Sequence, residues 1–274
     1  MMIELLSMGF FQRALLAGIL VSLLCGVLSV FVILRRMAFI GVGISHSAFG
    51  GVALGFLLGV DPLWTGVGFS VVVALLIEWA QRHSRVEEDT AIGIFFAASM
   101  ALGLVFLHLS RTYNVDVFGF LFGNILAIGP KQVVQILMVT VAVLAVMWAF
   151  FKEMVFLSFD EEMAWVSGVP VRALCYLFLV LMALVVIVSI YLVGIVLVSA
   201  LLVIPGAIAQ NLSQQIRSMV GWSTATAVGS TVGGLGLSYG LDFPSGATIV
   251  LVLAGLYLLS TLLHPRGHSV KGKA

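Results

Sequence analysis

The chain has 274 residues, of which 62% are hydrophobic and 9% charged, with a formal net charge of +1. A soluble domain averages about 25% charged residues, so this composition excludes a water-exposed globule, and the near-neutral charge gives no reason to expect a nucleic-acid partner. Long apolar runs without strict alternation exclude a β-barrel, whereas helices satisfy their own backbone polar groups inside a lipid bilayer.

The expected fold is all-α: residues 1–274 form one polytopic integral-membrane helical bundle. Punctuation and charge divide the chain into about nine spans: Ala14 to Leu34, Ala38 to Val60, Leu63 to Trp79, Ala91 to Leu109, Val133 to Phe151, Ala173 to Val193, Ile195 to Asn211, Val220 to Leu241 and Ala247 to Leu263. Eight spans are the alternative. The first span has no small-residue cleavage site and reads as a retained helix. Val117 to Gly129 is apolar but too short to cross, so it is expected on or re-entering the outer surface.

In this layout Arg35, Arg36, Arg82, Arg85, Lys152, Arg172, Arg217, Arg266, Lys271 and Lys273 share one side, and only Arg13, Arg111 and Lys131 lie on the other. The positive-inside rule then puts the C-terminus in the cytoplasm and the N-terminus outside.

Within the second span stands His46, ten residues past Arg36. At about 1.5 Å per residue it lies roughly 15 Å deep, near the middle of a hydrocarbon core about 30 Å thick. Ionisable groups at that depth face a partner or a pathway, and imidazole is a frequent ligand of transition metals. A metal-ion path is the sharper reading of His46; a hydrogen-bonded structural histidine is the plainer one.

Small residues recur at helical spacing, at Gly51 and Gly55 and at Gly229 and Gly233, a pattern that lets helices approach closely or subunits meet. Cys25 and Cys175 lie in apolar runs without a metal-ligand spacing and read as small core residues. Two polar stretches, Gln81 to Asp89 and Lys152 to Arg172 with its Asp160-Glu161-Glu162 run, read as solvated loops. Pro205-Gly206 is expected to break the seventh span and leave a short angled helix on the cytoplasmic face, suited to docking another protein.

A Gly-x-x-x-x-Gly-Lys match at Gly267 to Lys273 is followed by Ala274 and by no helix, so it cannot cradle phosphate. The chain is not expected to be an ATPase. Neither a G-x-S-x-G elbow nor an H-E-x-x-H pair occurs.

Six blocks in order, RRMAFIGVGISHSAFGGVALG (35–55), DTAIGIFFAASMALGL (89–104), LFGNILAI (121–128), FDEEMAWVSGVPV (159–171), LLVIPGAIAQ (201–210) and DFPSGATIVL (242–251), resemble the permease subunits of ATP-binding-cassette importers for zinc, manganese and related divalent metals. The resemblance implies a permease domain similar to iron-chelate and cobalamin permeases and a multi-pass location in the bacterial cell (inner) membrane. It further implies a homodimer, two cytoplasmic ATP-binding subunits that hydrolyse the ATP, and an extracytoplasmic metal-binding protein. The transported divalent metal ion is cargo, and no covalently bound cofactor is implied.

The resemblance also assigns residues. It puts the family histidine on His46, while Val42 occupies the position of the family's aspartate, one helical turn away, so half of an expected carboxylate–imidazole pair is missing. It places the coupling region on Leu201 to Arg217, with Pro205, Gly206, Ala209, Gln210 and Arg217 as its residues. Asp242 opens a family-like block and is the second metal candidate, ahead of Asp61 and Asp116. His108 is a weaker candidate, and His83, His264 and His268 read as solvated.

Two other classes fit part of this pattern. A stand-alone secondary metal-ion transporter or channel explains the spans and His46 but predicts inverted halves, which are not visible. An intramembrane hydrolase built on Ser45, Ser47 and His46 would require a distant partner, because neighbours on a helix point about 100° apart and cannot pair in line.

Overall fold

The first long apolar run becomes α1, Gly9–Leu34, in a computed structural model that describes residues 9–83, 88–110 and 128–263. The helices that follow are α2 (Ile40–Leu58), α3 (Pro62–His83), α4 (Glu88–Ser110), α5 (Pro130–Ala149), α6 (Phe151–Phe159), α7 (Glu161–Val166), α8 (Val171–Val193), α9 (Ile195–Leu212), α10 (Ile216–Leu241) and α11 (Ser245–Leu263). Among the described residues there is no strand. The short apolar segment expected at the outer surface lies almost wholly outside the described residues, as do Asp116, His264 and His268.

The bundle is organised around α1, which packs on α5, α8, α9 and α10. Ala14, Ala17, Val21, Leu24, Leu28 and Phe31 are all fully buried along it. Phe31 anchors one end, edge-on to Phe151 at 6.0 Å and tilted against Phe178 at 6.5 Å. By contrast α4, α5 and α11 are only 22% buried in their most apolar stretches, which leaves apolar faces for lipid or another subunit.

Eight of these helices are long and apolar enough to cross a membrane. The remaining long one, α10, is less apolar because its Ser and Thr side chains bond to α1. Ser22 and Thr231 hydroxyls are 2.6 Å apart, and the Ser223 hydroxyl donates to the Gly26 carbonyl at 2.6 Å. These contacts run antiparallel along α1, and 26 residues reach about 39 Å. It therefore has the length and the packing along α1 of a span without being one of the eight apolar candidates. Between α8 and α9 the chain reverses at a single residue, Gly194, whose φ of 85° and ψ of 163° suit glycine.

Pro205 does not break its helix. It sits buried inside a continuous α9, where the Gly206 N–H donates 2.8 Å to the Ser29 hydroxyl of α1. A neighbouring helix thus ties down the chain directly after the proline, while the group that Pro205 itself leaves without a donor is the Leu201 carbonyl. Gly206 and Ala209 are buried as well, while Gln210 and Arg217 are exposed at the α9–α10 corner. The expected short angled helix after Pro205 is absent. One forms instead within Lys152 to Arg172, where α6 and α7 replace the expected loop.

The glycine pairs differ. A Cβ on Gly51 would fall 2.8 Å from the Gly66 Cα, and one on Gly55 would fall 2.8 Å from the Pro62 Cα, so α2 and α3 touch backbone to backbone. Gly229 and Gly233 meet nothing within 4 Å in this chain. At Gly206 a Cβ would stand 2.5 Å from the Ser29 carbonyl oxygen. Gly206→Ala is therefore expected to destabilise by about 1–3 kcal/mol, as overpacking does. Gly229→Ala should be near neutral. Thermal unfolding of the two detergent-solubilised variants checks this, and equal melting temperatures would contradict it.

Candidate functional site

On α2, Phe39, Val42 and His46 share one helical face that this chain leaves partly open: Phe39 is 60% exposed, and Val42 and His46 are half-buried. The His46 ring stands edge-on to Phe96 of α4, with centroids 4.9 Å apart at 71°. Among the described residues, its ring nitrogens have no hydrogen-bond partner. The plainer reading, a histidine held by hydrogen bonds, thus lacks its bonds here.

Further hydroxyls lie on the neighbouring turns of α2 and α9. Leu202 of α9 touches Gly41, since a Cβ there would fall 3.0 Å from the Leu202 Cδ1. The two helices run antiparallel, so one turn along α2 to Ser45 and His46 is one turn back along α9 to Val198 and Ser199. The hydroxyls of Ser45 and Ser199 have no partner among the described residues. At mid-span, then, the imidazole is the polar group on the partly open face of α2, while the Ser45 and Ser199 hydroxyls are buried within the bundle.

No three His, Cys, Asp or Glu side chains come together among the described residues. Asp242 is not brought to His46. It closes α10 in the left-handed region at φ 55°, its N–H donating to the Ser238 carbonyl, a conformation that Asp tolerates better than most residues. Asp61 likewise caps α3, its carboxylate accepting from the Leu63 N–H at 2.9 Å. His83 bonds the Trp79 carbonyl and stacks on that indole, and His108 is exposed in the last turn of α4.

A second polar feature lies at the basic end of the bundle, where α1, α3, α6 and α7 enclose a cleft of about 590 Å³. Glu78, 3% exposed, reaches into it and accepts from Arg82 Nε at 2.5 Å. Arg82 also donates through Nη2 to Glu161 of α7 at 3.2 Å. Arg35, on the same cleft, donates to the Cys175 sulfur at 3.2 Å and lies 5.2 Å over the Phe178 ring. Sequence reasoning used Arg82 only as a topology charge and passed over Glu78. The i, i+4 spacing of Glu78 and Arg82 was the available signal.

Similarity to known proteins covers nearly the whole chain. A model described as ABC 3 transport family matches residues 7–264. The manganese transport system membrane protein MntC of Halalkalibacterium halodurans is 38% identical, with 96% of this chain and 90% of that protein aligned. The high-affinity zinc uptake system membrane protein ZnuB of Haemophilus influenzae is 34% identical, over 92% of this chain and 97% of that one. Among solved structures, PsaBC from Streptococcus pneumoniae in complex with Fab superposes with a TM-score of 0.86 at 34% identity, covering 97% of each chain. A helical bundle matched over nearly its whole length by these membrane proteins belongs to the ABC 3 transport family as a multi-pass membrane permease subunit rather than as an enzyme.

Proposed function

We propose that this permease conducts a divalent metal ion of the manganese or zinc class in an ATP-driven importer. The carrying observation is His46, a mid-span imidazole without a hydrogen-bond partner among the described residues, on a partly open helix face in a family whose relatives are named for manganese and zinc. An imidazole without a carboxylate beside it suits a borderline cation passed in transit, since conduction needs binding weak enough to release. With Val42 in place of a carboxylate, each chain brings few ligands. A homodimer, in which a second copy presents its own His46, is the arrangement that supplies more.

The basic end faces the cytoplasm in this reading. Of the basic residues among those described, Arg35, Arg36, Arg82, Lys152, Arg172 and Arg217 lie there, against Arg13 and Lys131 at the opposite end. Two copies of a separate ATPase dock at that face, and an extracytoplasmic metal-binding protein delivers the ion to the other. The docking element is α7. Asp160 caps it, accepting from the Met163 N–H at 2.9 Å, and it displays Met163, Trp165 and Val166 at 56%, 71% and 73% exposure. Beside it Arg82, Glu161, Glu162 and Arg172 rim a cleft of about 670 Å³. An aromatic anchor within a charged rim is the usual anatomy of a docking site. Gln210 and Arg217 extend the same face, whereas Pro205, Gly206 and Ala209 act through the α1–α9 packing.

Two measurements test this. In intact cells Trp165→Cys should resist an impermeant thiol reagent and Asp61→Cys should react; the reverse pattern would overturn the orientation. In the purified assembly, Trp165→Cys should cross-link to the ATPase, and failure to do so in an active assembly would remove α7 as the docking element.

A further inference from the structure

The docking helix is a separate short element bounded by two changes of backbone direction. It joins α6 through an extended Asp160, at φ −154° and ψ 101°, and leaves through Gly168 at φ 83°, a conformation that favours glycine. Ala164 is its buried residue. Its side-chain tie to the spanning helices among the described residues is the Glu161–Arg82 ion pair.

An exposed ion pair alone contributes little. Here the other half of the arginine is fixed, because Arg82 Nε is bound to Glu78, whose side chain is 4% exposed. A buried carboxylate cannot release its partner without a large desolvation cost, so Arg82 is a rigid extension of α3. That helix is in turn in backbone contact with α2 at Gly51 and Gly55, roughly one and a half to two and a half turns beyond His46. The contiguous chain is α7, Glu161, Arg82 with Glu78, α3, α2 and His46.

We propose that Arg82 is a positioning residue that transmits displacement of α7 to the α2–α3 pair, so that movement of the docked ATPase shifts the helix carrying His46. This rests on α7 as the docking element. Glu161 is the site to test, because its side chain is half exposed and its loss leaves Glu78 and Arg82 paired.

The experiment uses the complete permease–ATPase assembly in proteoliposomes and measures ATP hydrolysed per manganese or zinc ion taken up. Glu161→Gln should give normal yield and raise that ratio by about fivefold or more, the low end of a typical coupling effect, with the Trp165→Cys cross-link reporting separately whether the ATPase stays docked. Glu161→Asp, which keeps the charge, should restore most of the coupling. In a Glu78→Gln/Arg82→Gln background, Glu161→Gln should add nothing further, since the tie is already cut. An unchanged ratio in Glu161→Gln, with the Trp165→Cys cross-link to the ATPase retained, would overturn the tie alone. Loss of that cross-link from an active assembly otherwise wild type would overturn the docking reading and the tie with it.

Discussion

His46→Ala is expected to abolish metal uptake while leaving the protein inserted, folded and bound to its ATPase. The imidazole has no hydrogen bond to lose among the described residues, and its ring packs edge-on against one aromatic, Phe96. Removing it therefore costs little stability, on the order of 1 kcal/mol for an aromatic contact. It does remove the nitrogen ligand at the middle of the span. Loss of uptake by about a hundredfold at normal folded yield is the expected result, corresponding to roughly 2.7 kcal/mol in the barrier. Parallel loss of folded protein and uptake would instead mark a structural histidine. Val42→Asp, one turn away on the same face, is the companion variant: it should tighten divalent-ion binding and slow release.

The second large effect falls on stability. Arg82→Ala would leave the Glu78 carboxylate buried without its partner, and breaking a buried pair from one side costs about 3–5 kcal/mol. Folded yield in detergent should drop sharply. A Glu78→Gln/Arg82→Gln double variant should recover much of it, because an uncharged amide pair removes the stranded charge. Equal loss in the single and double variants would show that Arg82 matters for a reason other than Glu78.

Much of the architecture was legible because the chain punctuates itself. Ile195 to Asn211 was read as a span and α9 is Ile195–Leu212, since the single Gly194 separates two apolar runs. The serines and threonines of α10 did not disguise it, because its length and its flanking charges remained visible. Pro205 misled because the α1 packing that holds the helix straight, including the bond from the Gly206 N–H to the Ser29 hydroxyl, comes from 177 residues away and is invisible to local reading. The acidic run at Asp160 misled differently. Taken as solvated charge, it is a helix start: an Asp cap followed by two glutamates in the first turn, a signature that was present in the sequence. His46 was legible from depth alone. Its lack of hydrogen-bond partners, the level of Ser199 across on α9 and the link from Glu78 to Glu161 depend on which helices pack together, and no spacing within one helix reveals them.

The central claim is that this chain is a metal path driven by a separate ATPase, and transport by the reconstituted protein tests it most directly. Proteoliposomes containing the permease with its ATPase, the metal-binding protein and ATP should accumulate manganese or zinc against a gradient. Those containing the permease alone should not accumulate either ion, whatever proton or sodium gradient is imposed. Uphill accumulation by the permease alone would contradict the account and return the chain to the class of secondary transporters.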